Sequence, residues 1–255
     1  MKVVACIPVY GRGRLLARTI YRLYEKNKVF KVICAGDQLR DKRVALKHGA
    51  EWVDAPNDYL GYKWNEAFAA AEKHSPDACL FMGSSDWIED NWMVVMKRYV
   101  KHYDLIGVPD FYMADYSVHP VTRELIRIRA AYSSGYSQQS SRYGDSVGGG
   151  RVLTKSLLNQ VGWRPFQDDI THSLDWSMTT KASAVDAKIH TLPHLTLRVL
   201  SLSTNLWANK HSFSREITTG VCTEYGREEA DRFLSRHFPE ALTLFDDTWN
   251  SSTLR

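Results

Sequence analysis

GYKWNEAFAAAEKHSPDACLFMGSSDW, residues Gly61 to Trp87, contains one full repeat of the pattern on which the fold turns. Tyr62 to Lys73 is alanine-rich and predicts a helix. Asp77 to Met82 (DACLFM) is a short apolar run, as expected of a strand buried on both faces of a parallel sheet. That strand ends in a polar loop, Gly83-Ser84-Ser85-Asp86.

The same alternation extends in both directions. Val3 to Val9 (VVACIPV) is β-branched and almost wholly apolar, and Tyr10-Gly11-Arg12-Gly13 forms the turn after it. Leu15, Leu16, Ile20, Leu23 and Tyr24 then recur at helical spacing. Lys31 to Ala35 predicts a second buried strand, closed by Gly36-Asp37. A helix with a basic face (Asp41 to His48), a third strand (Glu51 to Val53) and the loop Asp54 to Gly61 follow. Beyond Asp86 come a helix from Asn91 to Tyr103 and a fifth strand from Asp104 to Val108. Strand alternating with helix predicts right-handed crossovers and a mostly parallel α/β sheet. Ligands in such sheets bind beyond the carboxyl ends of the strands. Three loops lie at such ends: Tyr10 to Gly13, Gly36-Asp37 and Gly83 to Asp86.

The second half reads differently. Glu124 to Arg129 (ELIRIR) alternates apolar and basic, so it predicts an antiparallel strand with one wet face. Tyr132 to Gly150 is rich in Ser, Gly, Tyr and Gln and predicts a mobile loop near a site. Helices are expected at Thr154 to Val161, Asp175 to Ala187 and Glu228 to Phe238, with a strand region from Ile189 to Leu202. The expectation is a single domain over residues 1–255. About 1–109 would form the nucleotide half and about 110–255 the acceptor half with its C-terminal helix.

Bulk composition narrows the class. The 255 residues are 44% hydrophobic and 24% charged, an ordinary globular balance. Net charge is +4 and the isoelectric point about 8.8, compatible with a phosphate-bearing substrate. Cys6, Cys34, Cys79 and Cys222 show no CxxC pair and no zinc spacing, which favours a reducing compartment. No stretch approaches the ~20 apolar residues of a membrane span. The expected location is cytoplasmic.

Asp86 is the residue with the clearest chemistry. A carboxylate leaving the end of a central strand can hold a hard divalent cation against phosphates, since Mg²⁺ and Mn²⁺ take oxygen ligands and few protein carboxylates. The plainer alternative is that Ser84 or Asp86 caps the next helix. Trp64, Trp87, Trp92, Trp163 and Trp176 suit either sugar and base stacking or core packing. Gly148-Gly149-Gly150 lacks the G-K-(S/T) of a phosphate loop, and reads as backbone lying close to a sugar or tolerating positive φ.

Four segments, in order, resemble the family 2 glycosyltransferases of the GT-A fold. IPVYGRGRLLARTI (Ile7 to Ile20) is similar to their first strand and helix. GYKWNEA with the strand ending at Asp86 resembles their G-x-x-x-N-x-(G/A) helix start and D-x-D-type motif. GGGRVLTKSLLNQVGWRPF (Gly148 to Phe166) and Leu174-Asp175-Trp176 look like their glycine loop and E-D-W motif. The resemblance covers roughly residues 3 to 180. It implies a metal-assisted, inverting transfer of a sugar from a nucleotide-diphosphate sugar, with UDP the commonest donor base and Mn²⁺ or Mg²⁺ as cofactor.

Carried over by residue, Pro8, Val9 and Tyr10 would line the nucleotide pocket and Arg12 would approach the phosphates. Asp37 would hydrogen-bond the base. Lys63, Asn65, Ser84 and Ser85 would reach the nucleotide or its diphosphate. Asp86 would ligate the metal and Asp175 would act as general base. Trp176, Gly149 and Gly150 would border the acceptor pocket. Ser84 stands where the family usually has an acidic residue, so one carboxylate ligand is missing, and His211 is the candidate replacement. The acceptor stays open: glycan, lipid-linked sugar, protein side chain, small metabolite or a hydroxylated nucleobase in DNA. Two other function classes stay open too: a nucleotidyltransferase, or a decayed transferase that only binds a sugar nucleotide or glycan.

Overall fold

A computed structural model of the chain describes residues 1–118, 125–136, 138–203 and 222–243. Two sheets organise it. The larger has seven strands in the order β10-β6-β9-β4-β1-β2-β3. It contains β1 (Val3–Pro8), β2 (Lys31–Gly36), β3 (Glu51–Asp54), β4 (Ala78–Phe81), β6 (Leu105–Gly107), β9 (Arg151–Thr154) and β10 (Ile189–Thr191). β1 pairs in parallel with β2 and β4, and β2 in parallel with β3, as the alternation predicts. β9 is the exception. It inserts antiparallel between β4 and β6.

The helices α1 (Gly13–Glu25), α2 (Leu39–Lys47), α3 (Leu60–Glu72) and α4 (Trp92–Tyr99) are the crossovers of this sheet. Leu16, Ile20 and Leu23 of α1 bury on one face of the sheet with Val3, Ala5 and Ile7. Ala67, Phe68 and Ala71 of α3 bury on the other with Val4 and Cys6. Successive β1 residues point to opposite faces, so a strand covered on both sides must be apolar throughout. α5 (Lys155–Gln160) and α6 (Leu174–Ser183) follow β9. Cys6, Cys34 and Cys79 are buried free thiols.

The smaller sheet runs β12-β8-β7-β11-β5. It joins β5 (Asp86–Ile88), β7 (Phe111–Val118), β8 (Leu125–Ser133), β11 (Val199–Ser203) and β12 (Cys222–Glu224). β8 is antiparallel to β7 and β12, in keeping with the ELIRIR alternation, and extends to Ser133. Helix α7 (Arg227–His237) packs Leu234 on this sheet beside Leu200, Leu202 and Tyr112. The two sheets draw strands from both sides of residue 109, since β5 joins the smaller sheet while β9 and β10 complete the larger.

Trp64, Trp87, Trp92 and Trp163 are buried in the cores, and of these four Trp64 alone borders a cleft at the ends of β1 and β4. Trp176 is 48% exposed. Among the described residues no helix is long and apolar enough to cross a membrane.

Candidate functional site

A cleft of about 380 Å³ opens at the carboxyl ends of β1 and β4. Pro8, Val9, Tyr10 and Arg12 supply one wall, and Lys63 of α3 lies on it with Asn57 and Leu60. Gly83, Ser84, Ser85 and Asp86 supply another, faced by Gly148, Gly149 and Leu174. Nine of the residues to which the resemblance gives a role share this cleft: Pro8, Val9, Tyr10, Arg12, Lys63, Ser84, Ser85, Asp86 and Gly149, and Trp64 and Gly148 line it beside them. Asp37, Asn65, Gly150, Asp175 and Trp176 are not part of its lining.

Asp86 sits in a closed turn. Its backbone N–H donates to the Gly83 carbonyl at 3.2 Å, and the Gly83 N–H donates to Asp86 Oδ2 at 2.9 Å. A Cβ placed on Gly83 would come within 2.5 Å of that oxygen, and one on Gly149 within 2.6 Å. Two glycines thus form a cradle that no side chain can share with the carboxylate. Burial pushes the Asp86 carboxyl above its ordinary pKa, against hydrogen bonds from Ser201 and Gly83 and the charge of Arg12. The capping alternative fails here. Asp86 opens β5, and α4 begins six residues later behind Asn91, which makes no side-chain cap bond.

Arg12 reaches across the cleft. Its Nη1 donates to Ser85 Oγ at 2.6 Å and to the Leu202 carbonyl at 3.3 Å. Lys63 is the second cation. Its side chain is 1% exposed, and its Nζ donates to the Val9 carbonyl at 3.3 Å and to Asn57 Oδ1. Desolvation lowers its pKa, while Asp37 and Asp41 oppose that shift. Asp37 is exposed just after β2, within electrostatic reach of Lys63. Asp41 is fully buried and accepts from the Gly11 N–H at 2.6 Å, which ties the turn after β1 to α2. Nothing in the spacing around Asp41 singles it out.

Asn65 has a different task from the one expected. Its Nδ2 donates to the Phe166 carbonyl and to Asp168 Oδ1, both at 2.8 Å, and its Oδ1 accepts from the Phe166 N–H at 3.0 Å. The amide is fully buried and committed to the 166–168 loop. The glycine loop bears out the positive-φ alternative at Gly150. Gly150 adopts φ +85°, and a Cβ there would strike Trp92 at 2.7 Å, so a protein ring demands this glycine.

Asp175 lies in the first turn of α6, next to the cleft-lining Leu174. Arg142 Nη2 donates to Oδ2 at 3.0 Å and Nη1 to Oδ1 at 3.4 Å. Tyr136 Oη also donates to Oδ2, and the Trp176 N–H to Oδ1 at 3.0 Å. The N-cap is Ser173, which makes no side-chain cap bond. Arg151 of β9 is wholly buried beneath, and its Nη1 holds the Asp175 carbonyl at 2.7 Å. Burial pushes the Arg151 guanidinium down to about 9, with Arg142 adding repulsion. Composition marked Tyr132 to Gly150 as a loop near a site, but it gave no sign that Tyr136 and Arg142 would be the residues reaching Asp175. His211 lies outside the described residues. Among the described residues no three His, Cys, Asp or Glu side chains converge on one point.

The sequence matches no protein-family model and no curated protein. The fold does match solved structures. TarS 1–349 of S. aureus aligns with TM-score 0.54 at 16% identity, over 79% of this chain and 60% of that one. Its complex with UDP aligns with TM-score 0.51 at 15% identity, over 81% and 62%. The mannosyltransferase PcManGT from Pyrobaculum calidifontis, in complex with GDP-Man and Mn²⁺, aligns with TM-score 0.52 at 10% identity, over 95% and 64%. The chain thus spans about three fifths of the length of these structures. Its fold is that of the GT-A glycosyltransferases.

Proposed function

We propose that this protein transfers a sugar from a nucleoside-diphosphate sugar to an acceptor hydroxyl, using the cleft at the ends of β1 and β4. The observation that carries this reading is the Asp86 carboxylate in its glycine cradle, facing the cleft with Arg12 and Lys63. A donor's diphosphate needs charge neutralisation from both sides, and cations with a carboxylate-held metal supply it. TarS, solved with UDP, and PcManGT, solved with GDP-Man and Mn²⁺, share the fold and support the nucleotide-sugar class.

The donor set suits a hard divalent cation. One carboxylate with serine hydroxyls nearby leaves most of the coordination shell to phosphate oxygens and water, as Mg²⁺ and Mn²⁺ accept. Asp86 would hold the ion, and the ion would stabilise the charge on the departing diphosphate. Arg12, fixed by Ser85 beside Asp86, would bind the phosphates next to the ion. Tyr10, Lys63 and Asp37 would bind the base, with Asp37 accepting its N–H groups. Asp175 would remove the proton from the acceptor hydroxyl as its oxygen bonds to the anomeric carbon and the diphosphate leaves. A single displacement of that kind inverts the anomeric centre. Asn65 enters as a structural amide and no longer as a donor ligand.

A thermal-shift panel tests the reading. UDP-glucose, UDP-N-acetylglucosamine, GDP-mannose, UDP and GDP are each added with and without Mn²⁺. A ligand that binds only the folded state at 100 times its Kd raises stability by about 2.7 kcal/mol. At least one should raise the melting temperature of the wild type and fail to do so for Asp86→Ala. No shift with any of them sinks the reading.

A further inference from the structure

Asp175 is saturated. A carboxylate offers about four lone-pair directions, and among the described residues at least four donors use them: Tyr136 Oη and Arg142 Nη2 on Oδ2, the Trp176 N–H and Arg142 Nη1 on Oδ1. The Trp176 N–H belongs to the first turn of α6 and stays with the helix. The other three donors come from two side chains of the 134–150 loop. Arg142 stacks 4.0 Å over the Tyr136 ring, so the two act as one unit. Asp145 holds the same guanidinium through Nε at 3.3 Å, and Ser140 Oγ accepts from the Arg142 N–H at 3.1 Å.

We infer that Tyr136 and Arg142 make this site choose an acceptor hydroxyl over water, by occupying the Asp175 carboxylate until an acceptor displaces them. The inference rests on the proposed role of Asp175 as general base. A phenol O–H pointing at the carboxylate has the arrangement an acceptor O–H must adopt before it gives up its proton. The tyrosine therefore fills the acceptor's place without being attacked.

Water and acceptor differ in what they bring. Water offers one small molecule's hydrogen bonds against the three it must displace, two of them from a cation. An acceptor brings the rest of its surface, and binding energy from its remote parts can offset the displacement. The residues that follow Asp175 and Arg142 in the chain carry exposed aromatic rings, Trp176 at 48% and Tyr143 at 58% exposure. Tyr136 and Arg142, the two side chains that must withdraw, lie in the chain between Gly135 at φ +84° and Gly144 at φ +88°. A Cβ on Gly144 would meet nothing within 4 Å, which leaves room at that end.

The unwanted reaction is donor hydrolysis. Water's oxygen bonds to the anomeric carbon, the bond from that carbon to the diphosphate oxygen breaks, and water's proton goes to Asp175. The products are the free sugar and the nucleoside diphosphate. Hydrogen bonds to a charged group are strong enough that their removal should expose this reaction by roughly tenfold.

The experiment measures UDP or GDP released without acceptor from UDP-glucose, UDP-N-acetylglucosamine and GDP-mannose with Mn²⁺. Wild type is compared with Tyr136→Phe, Arg142→Gln and the double variant. Release should rise in each single variant and about tenfold or more in the double. Adding Asp175→Asn to the double should return release to the wild-type level or below. A purely structural role for the pair would lower release with the melting temperature, and it offers no route to a rise. Release by Tyr136→Phe and the double variant at or below wild type overturns the inference, as does a rise that survives Asp175→Asn. If the double variant fails to fold, Tyr136→Phe, which loses one hydroxyl, decides alone. Failure of the base assignment shows separately, as full transfer by Asp175→Asn.

Discussion

The Asp86 side and the Asp175 side of this molecule hold their carboxylates by opposite means. Asp86 is fixed mainly by backbone, a turn closed on itself and two glycines with no room for a Cβ, with one side-chain hydrogen bond from Ser201. Asp175 is fixed by long side chains from a loop, Tyr136 and Arg142, laid over the first turn of a helix. Backbone placement leaves little to rearrange, which suits the contact proposed for Asp86 with a donor's diphosphate. Side-chain placement can be exchanged for a ligand, which suits a group meeting a variable acceptor. The lesson concerns where freedom is kept, and it can be broken experimentally.

The largest expected effect is on the backbone-fixed side. Asp86→Ala should lower turnover by roughly 10³–10⁴-fold, since metal-assisted charge stabilisation contributes several kcal/mol. Steady-state kinetics with the donor found by thermal shift would check it, and near-normal turnover would remove Asp86 from the chemistry. Asp175→Asn should cost roughly 10²–10⁴-fold in kcat with donor affinity nearly unchanged. Product NMR should show an inverted anomeric centre for the wild type, and a retained one refutes single displacement.

Asn65 sharpens the comparison from the structural side. Asn65→Ala strips the Phe166 N–H and carbonyl of their buried partners, so it should cost about 2–4 kcal/mol of stability. Denaturant titration measures this. A fully stable variant with a raised donor KM would return Asn65 to the nucleotide.

The smallest effect is a pH dependence far from the cleft. His237 Nδ1 lies 2.9 Å from Glu89 Oε1, and burial with the charge of Arg198 holds the imidazole below its ordinary value near 6.5, against the pull of Glu89. Below that value the unfolded chain binds a proton that the folded chain resists, so stability falls as pH drops. Burial also lowers His48, which adds to the same slope. His237→Gln should therefore shallow the fall in melting temperature between about pH 6.5 and 5. An unchanged slope would show that His237 does not titrate differently on folding.

The parallel strands were legible because burial on both faces forces unbroken apolar runs, and VVACIPV and DACLFM have no other use. The cleft loops were legible because ligands gather at strand carboxyl ends. The strand β9, by contrast, is four residues long, and RVLT reads equally well as the start of the helix behind it. β5 was hidden for the same reason: DWI is three residues, and its partner Val199 to Ser201 lies more than a hundred positions away. Asn65 misled because a motif position carries chemical type but no direction, and its amide turns to the 166–168 loop. Tyr136 and Arg142 stayed hidden because a Ser/Gly-rich stretch announces a loop without saying which of its side chains folds back.

The reversed direction of β9 has one more consequence. Because β9 starts where β4 ends, both the strand before the 134–150 loop and the strand after it are anchored, at Ser133 in one sheet and Arg151 in the other. The end of the segment is itself part of the frame, since Ser146 and Val147 are buried, the Ser146 carbonyl accepts from Arg151 and the Val147 N–H donates to the Val108 carbonyl at 2.8 Å. Natural variation would then accumulate first ahead of that end. A breeder of new specificities would therefore graft within residues 136–145, between the two anchors, and leave Ser146 and Val147 in place.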